Sequence, residues 1–338
     1  DLAGVLERTK SVFQLGSDHS VPFFITFEAS QTGDHALHGP LDPLVPAQAQ
    51  KFTKTTFAAT GLLSFASAVT QSKLTHLVVI GAETVVCVMQ TVLGLRQLGF
   101  TVLLQKDAVM SSETNTSPAL RRMQQAGAVL VDHMAVAGFV ADPSELPLAE
   151  NPPVRLVKPL NIGVVLNGFT EASVGASTDP LLSQKSARLV ELLLVSEWFE
   201  LPVYVQDPGA GLPPAFASSF QGQLRPLSQI AQDASVEQLV LAGTDSALPG
   251  AIAPFVQSHQ LFVMEDALLA LGTAAAQKDM LQPLYDGGSV PTTYKSFYYE
   301  MTRSVALPEW PSQAWVDKYD EYYWITQAPE DLPPIAGE

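Results

Sequence analysis

The sequence is short of cysteine, of basic residues and of long apolar runs. Its one cysteine, Cys87, excludes an intrachain disulfide framework and fits a reducing compartment. With 18 basic against 34 acidic residues, the formal net charge is −16, and no basic run offers a surface for nucleic acid or an anionic membrane. No apolar run reaches the roughly 18 residues of a transmembrane helix. We expect a cytoplasmic protein without such partners; an organelle stays open because residue 1 is not methionine.

The sequence does have apolar material for a large core. Hydrophobic residues make up 47% of its 338 residues, enough for two domains. The most informative stretch is 75–110. In it, a β-branched apolar strand over 77–80 ends at Gly81, an apolar helix over 85–98 follows, and a second apolar strand occupies 100–104. This pattern predicts a βαβ unit with parallel strands.

Cys87 lies near the first turn of the predicted helix, just beyond the carboxyl end of a parallel strand. Open α/β sheets bind their ligands at such places. Backbone N–H groups and the helix dipole there favour a thiolate, so we expect a depressed thiol pKa. The competing interpretation is that Cys87 is a buried small hydrophobe in an apolar helix.

The preceding residues predict a helix over 2–15, a strand over 21–27, an irregular segment over 28–50 and a helix over 57–69. The irregular segment would form a wall of a site at the strand ends. It contains three side chains of metal-ligating type: Asp34, His35 and His38. We interpret them as a solvated polar loop, and we expect no metal and no cofactor.

The second half of the chain repeats the pattern of the first. The segments LPVYVQD at 201–207, QLVLAG at 238–243 and LFVMEDALL at 261–269 match VPFFITF, HLVVIG and VLLQKDAVM in order and spacing. This predicts a tandem duplication. We expect a first domain over 1–140, a proline-rich linker over 141–159, a degenerate second domain over 160–290 and an aromatic extension over 291–338 that clasps the domains.

The second half also has an element that the first lacks. A strand over 161–167 and a helix over 181–199 precede LPVYVQD, whereas the first half opens directly in the equivalent helix. If the duplication is real, the first domain's equivalent strand lies upstream of Asp1.

At this point the motifs resemble a known family. KTTFAATGL at 54–62, followed by the stretch 77–109, is similar to the isochorismatase-like cysteine hydrolases, which include nicotinamidases and other amidases. Lys54 stands 27 residues before Gly81, and Cys87 six residues after it, as in that family. The resemblance implies a three-layer α/β/α sandwich around a central parallel sheet, here in two copies.

The resemblance also implies a site made of a cysteine, a lysine and an aspartate. It places a cis peptide at Ala82–Glu83, contributing to an oxyanion hole. The family's aspartate ends the first strand, which is the strand expected upstream of Asp1. Lys51 competes with Lys54 for the role of the lysine, and we prefer Lys54 because its spacing fits.

The resulting hypothesis is a hydrolase that cleaves an amide-type C–N or related bond of a small molecule, with Cys87 as nucleophile and Lys54 as its electrostatic partner. The alternative is a catalytically silent binding or structural subunit. In the second repeat Asn167, Phe216 and Pro249 stand where the three polar groups are expected, so that domain should be inert. We expect a homo-oligomer or an intramolecular pseudo-dimer.

Overall fold

The computed structural model describes residues 2–28, 39–148, 150–220, 222–245 and 248–304. These residues fall into two compact units, the first ending at Arg155 and the second beginning at Leu156. No helix within the described residues is long and apolar enough to cross a membrane.

The first unit alternates helices and parallel strands. Its elements are α1 (Leu2–Asp18), β1 (Phe24–Glu28), β2 (Gln50–Lys54), α2 (Leu63–Gln71), β3 (His76–Ala82), α3 (Met89–Gln97), β4 (Thr101–Met110), α4 (Ser117–Gln125), β5 (Val129–Val131) and α5 (His133–Ala141). The strands form two separate parallel sheets, β1-β2 and β3-β4-β5.

Strand β4 shows how the three-stranded sheet is covered on both faces. Leu103 packs in a cluster with residues of α1 and α5, among them Leu15 and Phe139. Its neighbours Val102 and Leu104 point to the opposite face, where α3 contacts β4, and both are fully buried. This double cover explains why the sequence of β4 is continuously apolar.

The second unit is built around one six-stranded sheet. Its elements are β6 (Ile162–Asn167), α6 (Glu171–Ala176), α7 (Leu182–Trp198), β7 (Val203–Val205), α8 (Pro214–Ala217), β8 (Leu224–Pro226), β9 (Gln238–Thr244), α9 (Leu248–Ile252), β10 (Gln260–Leu269), α10 (Ala274–Asp286), β11 (Val290–Thr292) and α11 (Tyr294–Ser304). The strand order is β11-β10-β9-β6-β7-β8, and every pairing is parallel. Leu261 and Val263 pack with α9 and α10, while α7 and α11 contact β10.

The predicted fold class is confirmed: both units are parallel sheets with flanking helices. Some expected elements were wrong in detail. The sequence analysis did not predict β2, and the helix expected over 57–69 begins only at Leu63, after a 3₁₀ turn at Ala59–Gly61.

The boundary expected after residue 290 cuts through the second unit. Strand β11 pairs with β10, and on α11 the side chains of Tyr294, Phe297 and Tyr298 are buried. Residues 290–304 therefore close the sheet of the second unit and do not form a separate extension. Asp34, His35, His38 and residues 305–338 of the aromatic extension lie outside the described residues.

The two strands that the predicted duplication matches, β3 and β9, differ in burial. Strand β9 lies between two neighbours and all seven of its residues are buried, whereas none of the seven residues of β3 is fully buried. Val240 on β9 is 0% exposed and Val78, at the matching place on β3, is 40% exposed. The edge of β3 that faces away from β4 is therefore incompletely covered.

This difference predicts unequal effects of one substitution. Val240→Ala should lower the free energy of unfolding by about 2 kcal/mol, because two buried methyl groups are lost from a packed interior. Val78→Ala should cost less than about half as much, because its side chain is already partly hydrated. Urea unfolding of both variants measures the difference, and equal costs would contradict the described burial.

Candidate active site

Two parallel strands bring a carboxylate and an ammonium group together. In the register of β1 and β2, Glu28 is paired with Lys54, and both residues end their strands. Carboxyl ends of parallel strands lie at the same edge of a sheet, so both side chains emerge where the fold places ligands. A salt bridge of 2.7 Å joins Lys54 Nζ to Glu28 Oε1.

Cys87 reaches the same point from the end of β3. Gly81 has a φ of +126°, a conformation that favours glycine, and the peptide bond between Ala82 and Glu83 is cis. A single π-helical turn, Thr84–Val88, follows and carries Cys87.

Hydrogen bonds to the end of β4 hold this turn in place. The hydroxyl of Thr84 donates to the carbonyl of Met110 at 2.7 Å. The carboxylate of Glu83 accepts from the backbone N–H of Ser112 at 2.7 Å and from its hydroxyl at 2.9 Å. The side chain of Glu83 is thus engaged on the β4 side of the turn, while its backbone carbonyl accepts from the N–H groups of Val86 and Val88.

Three side chains form the centre of the site. The thiol of Cys87 donates to Glu28 Oε1 at 2.9 Å, and Lys54 Nζ lies 3.7 Å from Cys87 Sγ. The Lys54 side chain is only 4% exposed, whereas that of Glu28 is 56% exposed. The carboxylate of Glu28 therefore faces solvent and is accessible to a substrate. The ammonium group of Lys54 lies on the buried side of that carboxylate.

The site holds the cysteine as a thiol. Burial, together with the charge of Glu28 and its hydrogen bond, raises the pKa of Cys87 to about 12, although Lys54 and the backbone of Glu83 act in the opposite direction. Burial also opposes ionisation of Glu28, but its hydrogen bonds with Cys87 and Lys54 and the Lys54 charge outweigh this and lower its pKa. The expected depressed thiol pKa is therefore wrong, because burial and a carboxylate next to sulfur outweigh one ammonium group.

Glu28 is the residue that the sequence analysis missed. The family resemblance implied an aspartate from a strand upstream of Asp1, and residue 28 was interpreted as the start of an irregular segment. The available signal was a carboxylate directly after an apolar strand, VPFFITF, in a parallel sheet. The structure also separates the two candidate lysines: Lys54 contacts Cys87, and Lys51 is an exposed residue of β2.

The second unit offers a different set of groups at the corresponding places. Asn167 ends β6 and donates from Nδ2 to the carbonyl of Thr244 at 2.9 Å, and Pro249 lies in the first turn of α9. Phe216 lies in α8, between β7 and β8, so it is not the counterpart of Lys54, which ends a strand. The constant offset used for that assignment does not hold across this loop.

The described residues contain no group of three His, Cys, Asp or Glu side chains that could hold a metal ion.

Comparison with known families bears on this site directly. The model of the isochorismatase domain matches residues 23–135. Residues 23–135 form an isochorismatase domain. The matched range begins one residue before β1 and includes Glu28, Lys54 and Cys87. A search of curated proteins finds no match.

The solved structures that are similar to this chain include the following three proteins, whose sequence identity to it is low. The YcaC gene product of Escherichia coli, described as an octameric hydrolase of unknown specificity, is 17% identical with a TM-score of 0.41, covering 54% of this chain and 100% of its own. The MAR1 ribonuclease of Caenorhabditis elegans is 12% identical with a TM-score of 0.41, covering 54% and 97%. The nicotinamidase PncA of Bacillus subtilis is 19% identical with a TM-score of 0.35, covering 38% and 85%.

The alkylation rate of the Cys87 thiol should change in opposite directions when Glu28 is replaced and when Lys54 is replaced. Glu28→Gln should increase the rate at which iodoacetamide alkylates Cys87 at pH 8–9, because it removes the negative charge that raises the thiol pKa. Lys54→Met should slow alkylation, because the ammonium group lowers that pKa. The rate can be followed by mass spectrometry of the intact protein.

Lys51→Met is the matched control and should leave the alkylation rate unchanged, since Lys51 is exposed on the neighbouring turn of the same strand. If Glu28→Gln slowed alkylation, the carboxylate could not be what holds the sulfur protonated.

Proposed function

We propose that the first unit is a cysteine hydrolase that cleaves an amide-type C–N bond, or a related bond, of a small molecule. The observation that carries the proposal is the 2.9 Å hydrogen bond from the thiol of Cys87 to Glu28, with the buried Lys54 in contact with both. A nucleophile in contact with a general base, and a base held by a third group, is the arrangement that covalent catalysis requires.

In this mechanism Glu28 moves the proton. As Cys87 Sγ attacks the carbonyl of a bound substrate, its proton passes to the carboxylate of Glu28. The C–N bond then breaks, the leaving nitrogen takes the proton from Glu28, and a thioester remains. Water attacks the thioester with Glu28 again as base, which releases the acid and returns the proton to sulfur.

Lys54 and the turn after β3 stabilise charge. The ammonium group of Lys54 keeps Glu28 ionised in the resting state and offsets the negative charge that develops on sulfur. The backbone of Glu83 already forms a hydrogen bond to Cys87. We assign the backbone of Ala82–Glu83 to the oxyanion hole, because a donor beside the nucleophile is also beside the carbonyl that it attacks.

The second unit is, in this proposal, catalytically silent, since Asn167 and Pro249 replace an acid and a nucleophile. The competing possibility is that the first unit is also silent and serves as a binding subunit. The observation on which that alternative rests is the raised pKa of Cys87, because a protonated thiol reacts only if Glu28 accepts its proton during the attack. A homo-oligomer or an intramolecular pseudo-dimer remains part of the proposal.

Activity measurements separate these two functions. With a panel of small primary amides and ammonia release as the readout, Cys87→Ala should reduce kcat/KM by about 10³-fold or more, and Glu28→Gln by about 10²- to 10⁴-fold. Lys51→Met should change little, whereas Lys54→Met should be impaired. Ammonia release that Cys87→Ala leaves intact would sink the proposed nucleophile.

The pH profile tests the role of Glu28 in particular. The base must be ionised, so activity is present above the pKa of Glu28 and lost below it. Because hydrogen bonds from Cys87 and Lys54 lower that pKa, kcat/KM should fall only at pH values below the ordinary range of a glutamate. Residual activity of Glu28→Gln should lack this acid limb. An acid limb near pH 6–7 would assign the base to another group.

A further inference from the structure

Two consecutive side chains fasten the turn after β3 to the end of β4. The hydroxyl of Thr84 donates to the carbonyl of Met110, and the carboxylate of Glu83 accepts from the backbone N–H and the hydroxyl of Ser112. The hydroxyl of Ser111 donates to the same carboxylate. Hydrogen bonds to an ionised carboxylate are stronger than those between neutral groups, so this contact is a firm attachment of the turn.

The backbone of Glu83 belongs to the site. It forms a hydrogen bond to Cys87 that favours the ionised form of the sulfur, so the backbone N–H of Glu83 is the donor. The carbonyl of Glu83 accepts from the N–H groups of Val86 at 3.2 Å and Val88 at 3.0 Å, within the turn that carries Cys87. Glu83 therefore connects the end of β4, through its side chain, with the sulfur, through its backbone.

The second unit has a similar contact without the hydroxyls. Strands β9 and β10 pair in parallel as β3 and β4 do, and the carboxylate of Asp245, just after β9, accepts from the backbone N–H of Leu271 at 3.0 Å. The two residues after β10 are Ala270 and Leu271, which have no hydroxyl, whereas the two residues after β4 are serines. The contact between a carboxylate and a backbone N–H is therefore common to both units, and the two hydroxyls are particular to the unit that contains the thiol.

We propose that Glu83 is a positioning residue for the thiol, and that the hydroxyls of Ser111 and Ser112 hold its carboxylate so that its backbone N–H stays directed at the sulfur of Cys87. A donor that is fixed before the reaction stabilises developing charge without a cost of reorganisation. The effect on turnover rests on the proposed hydrolase function, in which the same backbone serves the oxyanion. The effect on the thiol itself does not rest on it.

The side chain of Glu83 acts on the sulfur by position and not by charge. The charged side chains that shift the pKa of Cys87 are Lys54 and Glu28, whereas Glu83 shifts it through its backbone. Release of the Glu83 carboxylate should therefore weaken a donor to the sulfur and make the thiolate less stable. This effect has the opposite sign to that of Glu28→Gln, which removes a negative charge beside the sulfur.

The first test is the rate at which iodoacetamide alkylates Cys87 at pH 8–9. Glu83→Ala should slow alkylation roughly three- to tenfold and Ser112→Ala roughly twofold, as expected for the loss of hydrogen bonds. Glu83→Gln should lie between Glu83→Ala and the wild type, because its amide oxygen can still accept from the N–H of Ser112. In the Glu83→Ala background, Ser112→Ala should add nothing, because its hydroxyl has already lost its acceptor.

Asp107 provides the matched control. Its carboxylate also ties the last part of β4 to other elements: it accepts from the backbone N–H of His133 at 3.2 Å and forms an ion pair with Arg8 at 3.4 Å. Asp107→Ala should lower the urea midpoint of unfolding, as Glu83→Ala should, but leave the alkylation rate unchanged. A lower midpoint with unchanged alkylation in Glu83→Ala would show a merely structural role and overturn the proposal.

The second test is turnover. With an amide that the wild-type protein hydrolyses, Glu83→Ala should lower kcat about tenfold or more and change KM less than about twofold, because the donor acts on charge that develops in the transition state. If no amide is hydrolysed, the proposed function fails and the alkylation rates alone decide the role of Glu83. If Glu83→Ala does not fold, Ser112→Ala, which removes one hydroxyl from an exposed residue, decides it. Alkylation of folded Ser112→Ala at or above the wild-type rate would then overturn the proposal.

Discussion

The buried ammonium group of Lys54 is the interaction on which the site depends. Removing an ion of this kind from water costs several kcal/mol even after relaxation, so it persists only with a charged partner in good geometry. Glu28 provides that partner at 2.7 Å, and the pairing requires β1 and β2 to end level with each other. The same constraint brings Cys87 within reach, since the thiol binds the oxygen that binds the ammonium.

This arrangement keeps the thiol of Cys87 protonated in the resting state. A carboxylate that accepts a hydrogen bond from sulfur keeps the proton there, and burial adds to the effect. Low-pKa, accessible thiolates are the ones that oxidants attack, so a protonated Cys87 resists oxidation while its base stays in contact. In the proposed mechanism the nucleophile is generated by proton transfer to Glu28 during attack.

Strands could be predicted from the sequence where one physical signal, a continuous apolar run, was dominant. Continuous apolar runs such as those of β4 and β9 are covered on both faces, so their position and type could be predicted. Strand β2, QKFTK, has exposed polar residues and no such pattern, and its place becomes evident only from its pairing with β1. Glu28 was missed for a related reason: a carboxylate after a strand looks like the start of a loop until its partners are known.

The thiol pKa shows a different limit. The position of Cys87 next to a helix start and its lysine partner were both readable from sequence, and both favour a thiolate. The sign of the shift depends on burial and on the carboxylate 2.9 Å away, which only the fold supplies. A local motif therefore predicted that Cys87 and Lys54 lie together at the strand ends, but it gave the wrong protonation state.

The position of the two-stranded sheet β1-β2 determines the geometry of the site. A pair of parallel strands has little stability alone, and β1-β2 is held to the rest of the first unit partly by edge-to-face contacts of Phe24 and Phe52 with Phe65 of α2. A further link is the set of contacts among Glu28, Lys54 and Cys87 themselves. Since proton transfer falls off steeply when donor and acceptor separate, the proposed chemistry depends on these contacts holding the end of β1-β2 beside the turn after β3.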